Sequence, residues 1–231
     1  MKFDRFSVVT FDCYGTLIDW ETGILDAIQG VITPRGITRP DAELLALFGE
    51  LESPIQFGTF RRYREVLDLT MGELCRRLGF APTITELTAI SRSLPEWRPF
   101  PDTVAALKTL ATRYQLGVIS NVDDDLFEGS ARQLGVKFDW VVTAQQVRSY
   151  KPSLNNFRHA LQEIGKPWDQ VLHCAQSLFH DVGPAKSLGL ATVWVNRRAG
   201  KPGAGATPPS TAKPDLVVDD MATLARLAAA D

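Results

Sequence analysis

From residue 101 onward the chain alternates short apolar or β-branched runs with amphipathic segments about ten residues long. That rhythm is met by right-handed crossovers in a mainly parallel sheet covered on both faces. The strand candidates are Leu116-Gly117-Val118-Ile119, Trp140-Val141-Val142-Thr143, Val171-Leu172-His173-Cys174, Ala191-Thr192-Val193-Trp194-Val195 and Leu216-Val217-Val218. Between them the apolar spacing predicts helices over 124–134, 153–164 and 181–188, the last closed by Gly189, and a final helix over 221–229. Asp102 is expected to cap a helix carrying Val104, Ala105, Leu107, Leu110 and Ala111 on one face. Residues 197–214, with four prolines and three glycines, read as a surface loop.

One more strand, Val8-Val9-Thr10-Phe11, lies near the N-terminus, and no convincing strand follows it across 20–98. There, Ile24, Leu25 and Ile28, then Leu44, Leu45, Leu47, Phe48 and Leu51, fall at helical spacing, followed by segments over 61–68 and 70–78. Pro34-Arg35-Gly36, then Gly79 and Pro82, then the run from Pro95 to Pro101 supply the breaks. The expected fold is therefore α/β: a doubly wound, Rossmann-like parallel sheet core from 1–18 and 99–231, with a helical domain over 19–98 inserted after the first strand. Ligands in such sheets bind at the carboxyl ends of the strands, under whatever the insertion covers.

The 231 residues, 45% of them hydrophobic, suffice for a full core and a second small domain. Lys and Arg number 25 against 27 Asp and Glu, a net charge of −2 that gives no overall attraction to nucleic acid or to an anionic membrane. No stretch of 18 apolar residues occurs, and the opening Met1-Lys2-Phe3-Asp4-Arg5-Phe6 leads into a run too short for a signal-peptide core, so the expected location is cytoplasmic. Cys13, Cys75 and Cys174 are odd in number and far apart, which fits neither a disulfide framework nor a zinc site. Cys13 adjoins Asp12, but without a nearby His the commoner role of a small buried thiol is preferred. The oligomeric state is left open, with exposed aromatics of the helical segment offering a homodimer face.

Asp12 ends the first strand, and Gly15 lets the backbone turn just beyond it. By itself this is either a nucleophile at a strand tip or an acid opening a polar turn. The other strand ends sharpen the choice. They deliver Ser120-Asn121, Lys151 in the Tyr150-Lys151-Pro152 loop, and Asp181. A carboxylate, a hydroxyl–amide pair, a lysine and a second acid are the parts of covalent carboxylate catalysis. Each has a structural alternative: Lys151 as a surface lysine before a proline, Ser120-Asn121 or Asp181 as helix caps, His180 as a plain structural histidine.

Phe11-Asp12-Cys13-Tyr14-Gly15-Thr16-Leu17, Ile119-Ser120-Asn121, Tyr150-Lys151-Pro152 and His180-Asp181-Val182-Gly183-Pro184-Ala185-Lys186 resemble the four ordered motifs of the haloacid dehalogenase superfamily. The resemblance spans the whole core, and the helical insertion sits where that superfamily carries a cap domain. Its phosphatases place a second Asp two residues after the nucleophile and a Gly-Asp pair for Mg²⁺ after the last-motif strand. Here Tyr14 and Ala175-Gln176 stand instead, a pattern that resembles the L-2-haloacid dehalogenases.

The resemblance then implies hydrolysis of a short halogenated carboxylic acid through an ester on Asp12, with no cofactor and no metal. Lys151 would keep Asp12 ionised. Thr16 would brace it, and Ser120 with the backbone at Asn121 would bind the substrate carboxylate. Asp181 would orient Lys151 or the hydrolytic water. Tyr14 would form an aromatic wall, with Gln176 and His180 nearby. The cap arginine that receives halide in those enzymes has no counterpart in Leu47-Phe48-Gly49-Glu50-Leu51, and Arg64 is the preferred substitute among Arg61, Arg62 and Arg64. The tyrosine expected six positions after the lysine is Phe157, and the last motif's serine and asparagine are Gln176 and Leu178. An Mg²⁺-dependent small-molecule phosphatase and a catalytically silent binding protein are the competing expectations.

Overall fold

A computed structural model describes residues 1–200 and 205–230. Strands β1 Val8–Phe11, β2 Gln115–Ser120, β3 Trp140–Thr143, β4 Val171–Ala175, β5 Ala191–Val195 and β6 Leu216–Val218 form one sheet in the order β3-β2-β1-β4-β5-β6. Every neighbouring pair is parallel. All four residues of β1 are buried, as a strand covered on both faces requires. Its register pairs Phe11 with Val118 of β2 and with Cys174 of β4. The chain winds outward from β1 to β3 and then, on the other side, from β4 to β6. The crevice where the winding reverses lies at the carboxyl ends of β1 and β4, directly beyond Phe11 and Ala175.

Five helices lie between β1 and the rest of the core: α1 Trp20–Ile32, α2 Asp41–Gln56, α3 Tyr63–Arg77, α4 Ile84–Leu87 and α5 Ala89–Ser93. The two segments expected over 61–68 and 70–78 are one helix. Val66, Leu67, Thr70, Met71 and Leu74 form a continuous buried face, and Leu69 merely points outward, 48% exposed. The chain enters and leaves this helical segment side by side. Phe100 N–H donates to Leu17 O at 3.1 Å and Asp19 N–H to Arg98 O at 2.9 Å.

Beyond the segment, α6 Thr103–Ala111, α7 Asp124–Leu134, α8 Ala144–Val147, α9 Leu154–Ile164, α10 Gly183–Ser187 and α11 Met221–Ala229 complete the layers. Asp102 is the N-cap residue of α6, as expected, but its side chain makes no capping hydrogen bond there. Its carboxylate accepts instead from Met221 N at 2.6 Å and Ala222 N at 3.2 Å, at the start of α11, and pairs with Arg197 at 2.8 Å. The helix expected over 181–188 begins earlier, as a π-helical turn over Leu178–Val182 that passes into α10. The expected loop over 197–214 is irregular where it is described, but part of it packs inward. Ala206 is buried against Gly49 of α2, and Arg197 donates to Thr16 O. Residues 201–204 of that loop lie outside the described residues. No described helix is long and apolar enough to cross a membrane.

Candidate active site

Beyond the tip of β1, Gly15 takes a φ of 93°, and a Cβ there would meet Trp20 Nε1 at 2.8 Å. This left-handed turn folds Thr16 back onto the strand tip, so that Thr16 Oγ1 donates to Asp12 Oδ2 at 2.8 Å. Thr16 Oγ1 in turn accepts from Gln176 N at 2.9 Å, which fixes its hydroxyl proton towards Asp12. The other Asp12 oxygen, Oδ1, accepts from Lys151 Nζ at 2.8 Å.

Lys151 is 2% exposed, which removes the surface-lysine alternative. Its ammonium uses all three donors: Asp12 Oδ1, Asp181 Oδ1 at 2.6 Å and Ile119 O at 2.7 Å. The Asn121 side chain is what aims it. Asn121 Oδ1 accepts from Lys151 N at 2.7 Å while its Nδ2 donates to Lys151 O at 3.0 Å, holding the Lys151 backbone on both sides of its Cα. Ser120 and Asn121 therefore do not cap α7, whose N-cap residue is Asp123. The Asn121 side chain is occupied by Lys151 and is not free for a ligand.

Asp181, 1% exposed, lies inside the π-helical turn, whose N-cap is Ser177 and not Asp181. Besides Lys151 it is bonded to His173 Nε2 at 3.0 Å, and His173 Nδ1 contacts Thr10 Oγ1 at 2.9 Å. Both His173 and Thr10 belong to the central strands and are fully covered. Burial raises the Asp181 carboxyl, but Lys151 and His173 outweigh it and hold the acid below its usual range. For Asp12 burial prevails, reinforced by Asp181 and opposed by Lys151 and Thr16, and its carboxyl lies above the usual range. Burial also acts against the Lys151 ammonium, yet the two carboxylates raise it above its usual value. Cys13 beside Asp12 is pushed well up by burial and then by Asp12, which makes it a poor nucleophile.

These groups open on a cavity of about 50 Å³, where one water takes about 10–15 Å³, so a molecule of a few heavy atoms fits. Asp12, Tyr14, Ser120, Asn121, Lys151, Gln176, His180 and Asp181 all line it. Thr16 stands directly behind Asp12. Tyr14 hydrogen-bonds Ser130 Oγ at 2.9 Å, and burial holds its phenol well above its usual range. His180 Nδ1 contacts Ser177 Oγ at 3.1 Å, and burial pushes its imidazole down to about 4. Two fully buried polar atoms of residues that line it, Ser120 Oγ and Asp181 Oδ2, have no hydrogen-bond partner among the described residues.

Arg64 is not part of this wall. At the start of α3 its side chain turns outward to Asp125 of α7, at 2.7 Å, where the attraction between opposite charges holds it in solvent. In its place the helical segment contributes Trp20, Glu52, Gln56 and Tyr63, which the motifs did not point to. A signal for Glu52 was present: Leu44, Phe48, Glu52 and Gln56 recur every fourth residue, so α2 carries an acid and an amide on its buried face. Phe157 is buried against the His173 ring, with centroids 5.1 Å apart.

Among the described residues no three His, Cys, Asp or Glu side chains are grouped to hold a metal. Asp12 and Asp181 are the acids nearest an Mg²⁺ position in the phosphatase pattern. Lys151 lies between them, paired with Asp12 at 2.8 Å and with Asp181 at 2.6 Å.

A family model described as haloacid dehalogenase-like hydrolase matches residues 6–189. The chain is 27% identical over 195 residues to (S)-2-haloacid dehalogenase H-109 of Pseudomonas putida, covering 82% of this chain and 85% of that protein. It is 34% identical over 103 residues to a glyceraldehyde 3-phosphate phosphatase of Methanothermobacter thermautotrophicus, covering 43% of this chain and 45% of that one. Among solved structures, L-2-haloacid dehalogenase from Xanthobacter autotrophicus superposes with a TM-score of 0.81 at 22% identity, over 96% of this chain and 98% of that one. The last likeness concerns the fold.

Proposed function

The chain belongs to the haloacid dehalogenase-like hydrolases, and from that premise we propose that it hydrolyses the carbon–halogen bond of short 2-haloacids through an ester on Asp12, without a metal ion. In the first step an Asp12 carboxylate oxygen attacks the halogen-bearing carbon from the side opposite the halogen; the C–O bond forms and halide leaves with the bonding pair. In the second, water attacks the ester carbonyl carbon of Asp12, releasing the 2-hydroxyacid and restoring the carboxylate with one oxygen from water. Lys151 and Thr16 hold the two Asp12 oxygens in place for attack. Asp181 Oδ2, buried and without a hydrogen-bond partner among the described residues, orients the water, takes its proton and returns it to the departing alkoxide oxygen of the 2-hydroxyacid. Ser120 Oγ, equally unpartnered, receives the substrate carboxylate. Residues 19–98 act as the cap of this pocket, over a core of 1–18 and 99–231.

The observation that favours this chemistry over phosphoryl transfer is the state of Tyr14. Its hydroxyl is taken up by Ser130 and its proton is firmly held, so the position two residues after Asp12 has no acid to shuttle a proton to a leaving oxygen. Halide needs no such proton. A phosphate dianion would also enter a cavity whose wall carries Asp12, Glu52 and Asp181 against one lysine.

The test is halide release from chloroacetate, fluoroacetate and 2-chloropropionate with and without EDTA, beside a panel of phosphate esters with Mg²⁺. EDTA-insensitive halide release is expected. Mg²⁺-dependent phosphate release without it would overturn the proposal, and silence across both panels would favour a binding protein. Replacing Asp12 with Asn should abolish turnover. In a single turnover, ¹⁸O from solvent should enter the Asp12 side chain.

A further inference from the structure

The cavity's ceiling is unusual for an anion site. Glu52 on α2 is 6% exposed and lines the cavity, and among the described residues no arginine does. Its Oε1 accepts from Tyr63 Oη at 2.9 Å and from the Gln56 side-chain amide, while Oε2 has no hydrogen bond among the described residues. Both donors converge on one oxygen, so that oxygen is the carbonyl when the acid is neutral, and the proton resides on Oε2. A neutral Glu52 is then a donor; an ionised Glu52 adds a third negative charge to a wall that already holds Asp12 and Asp181 against Lys151.

We propose that Glu52 determines which ligands this cavity accepts: protonated, it donates from Oε2 and admits a small monocarboxylate, and ionised, it repels that anion in favour of neutral or cationic ligands. The proposal rests on the cavity being the substrate pocket, as argued above. Burial raises the Glu52 carboxyl to about 7 despite the two hydrogen bonds that favour its charged form, so the change falls near neutrality.

The other groups facing it are accounted for. Tyr63 from α3, Tyr14 beyond β1 and Tyr150 from the lysine loop are all raised by burial and stay neutral. Across the cavity stand Asp12, Lys151, Asp181 and His180, and Asp123 accepts from the backbone N–H groups of Tyr63 and Arg64. On its own helix Glu50 turns away to Arg77.

Propionate, an unreactive small acid, is the probe. Its Kd, measured calorimetrically at constant ionic strength across pH, is expected to be flat just below the break at about 7 and to rise by about tenfold per pH unit above it. Glu52→Gln should abolish the break. Tyr63→Phe, which removes a donor to the ionised form, should move it to higher pH. Asp12→Asn should leave it in place, which separates Glu52 from the nucleophile. The same break in Glu52→Gln, or pH-independent binding in the unmodified protein, would overturn the proposal. Halide release is a separate readout. If no haloacid is turned over but propionate shows the Glu52 break, the dehalogenase reading falls and this one stands; turnover with pH-independent propionate binding gives the reverse.

Discussion

A single ammonium holds the buried half of the site together. Lys151 bridges Asp12 and Asp181 at 2.8 and 2.6 Å with all three groups shielded from solvent. Replacing it with Met, similar in length, leaves two buried carboxylates without a cation, a change that costs about 3–5 kcal/mol. The Asp181 contribution to the pH dependence should also change sign. In the unmodified protein Asp181 is held below its usual range, so its contribution is present at neutral pH and lost as pH falls through the folded value. In Lys151→Met both acids would be raised, and stability should fall as pH rises above the usual carboxylate range. Urea denaturation at neutral and acid pH reads this directly: the deficit should shrink in acid. Motif residues made Asp12, Lys151 and Asp181 legible in the sequence. His173 was not, because a histidine inside an apolar strand gives no hint that its Nε2 will reach an acid eight residues on.

Glycines without a side chain let helices approach closely, and each such contact is an element-scale test. Gly129 of α7 faces the turn that leads out of the helical segment, where an added Cβ would meet Pro95 Cβ at 2.5 Å and Pro95 O at 2.9 Å. Gln133 of the same helix donates to Pro95 O and Trp97 O, both at 2.9 Å. Gly129→Ala should destabilise by about 1–3 kcal/mol, overpacking outweighing the gain in helix propensity. Gly30→Ala in α1 is the control: nothing lies within 4 Å of its added Cβ, so it should stabilise by up to about 1 kcal/mol. Thermal unfolding of the pair checks both signs. Helix positions are readable from period, yet the segments expected over 61–68 and 70–78 are one helix, because the outward Leu69 between them interrupts the buried stripe. The π-helical turn at Leu178–Val182 leaves no mark in the pattern, since it differs from an α-turn only in which carbonyl each N–H finds.

For the whole molecule, Asp102 and Arg197 tie the ends of the chain to the nucleophile loop. Arg197 donates to Thr16 O from Nε at 3.1 Å and Nη2 at 3.0 Å, and Asp102 holds both Arg197 and the first turn of α11. Asp102→Ala should cost about 3 kcal/mol by urea titration, since it strips a cap and leaves a mostly buried guanidinium without its carboxylate. Six parallel strands, their helices and the insertion after β1 were determined by the sequence, because side-chain period and turn residues act locally. So were the strand-end groups Asp12, Ser120, Asn121, Lys151 and Asp181, since a parallel sheet places carboxyl ends together whatever the strand order. The sheet order, the turning of Arg64 outward, the engagement of Asn121 with the Lys151 peptide and the entry of Glu52 into the cavity were decided only by tertiary structure. Those features depend on which helix face meets which strand end, and that is fixed by packing between residues 30 to 139 positions apart, as between Asn121 and Lys151 or Asp12 and Lys151.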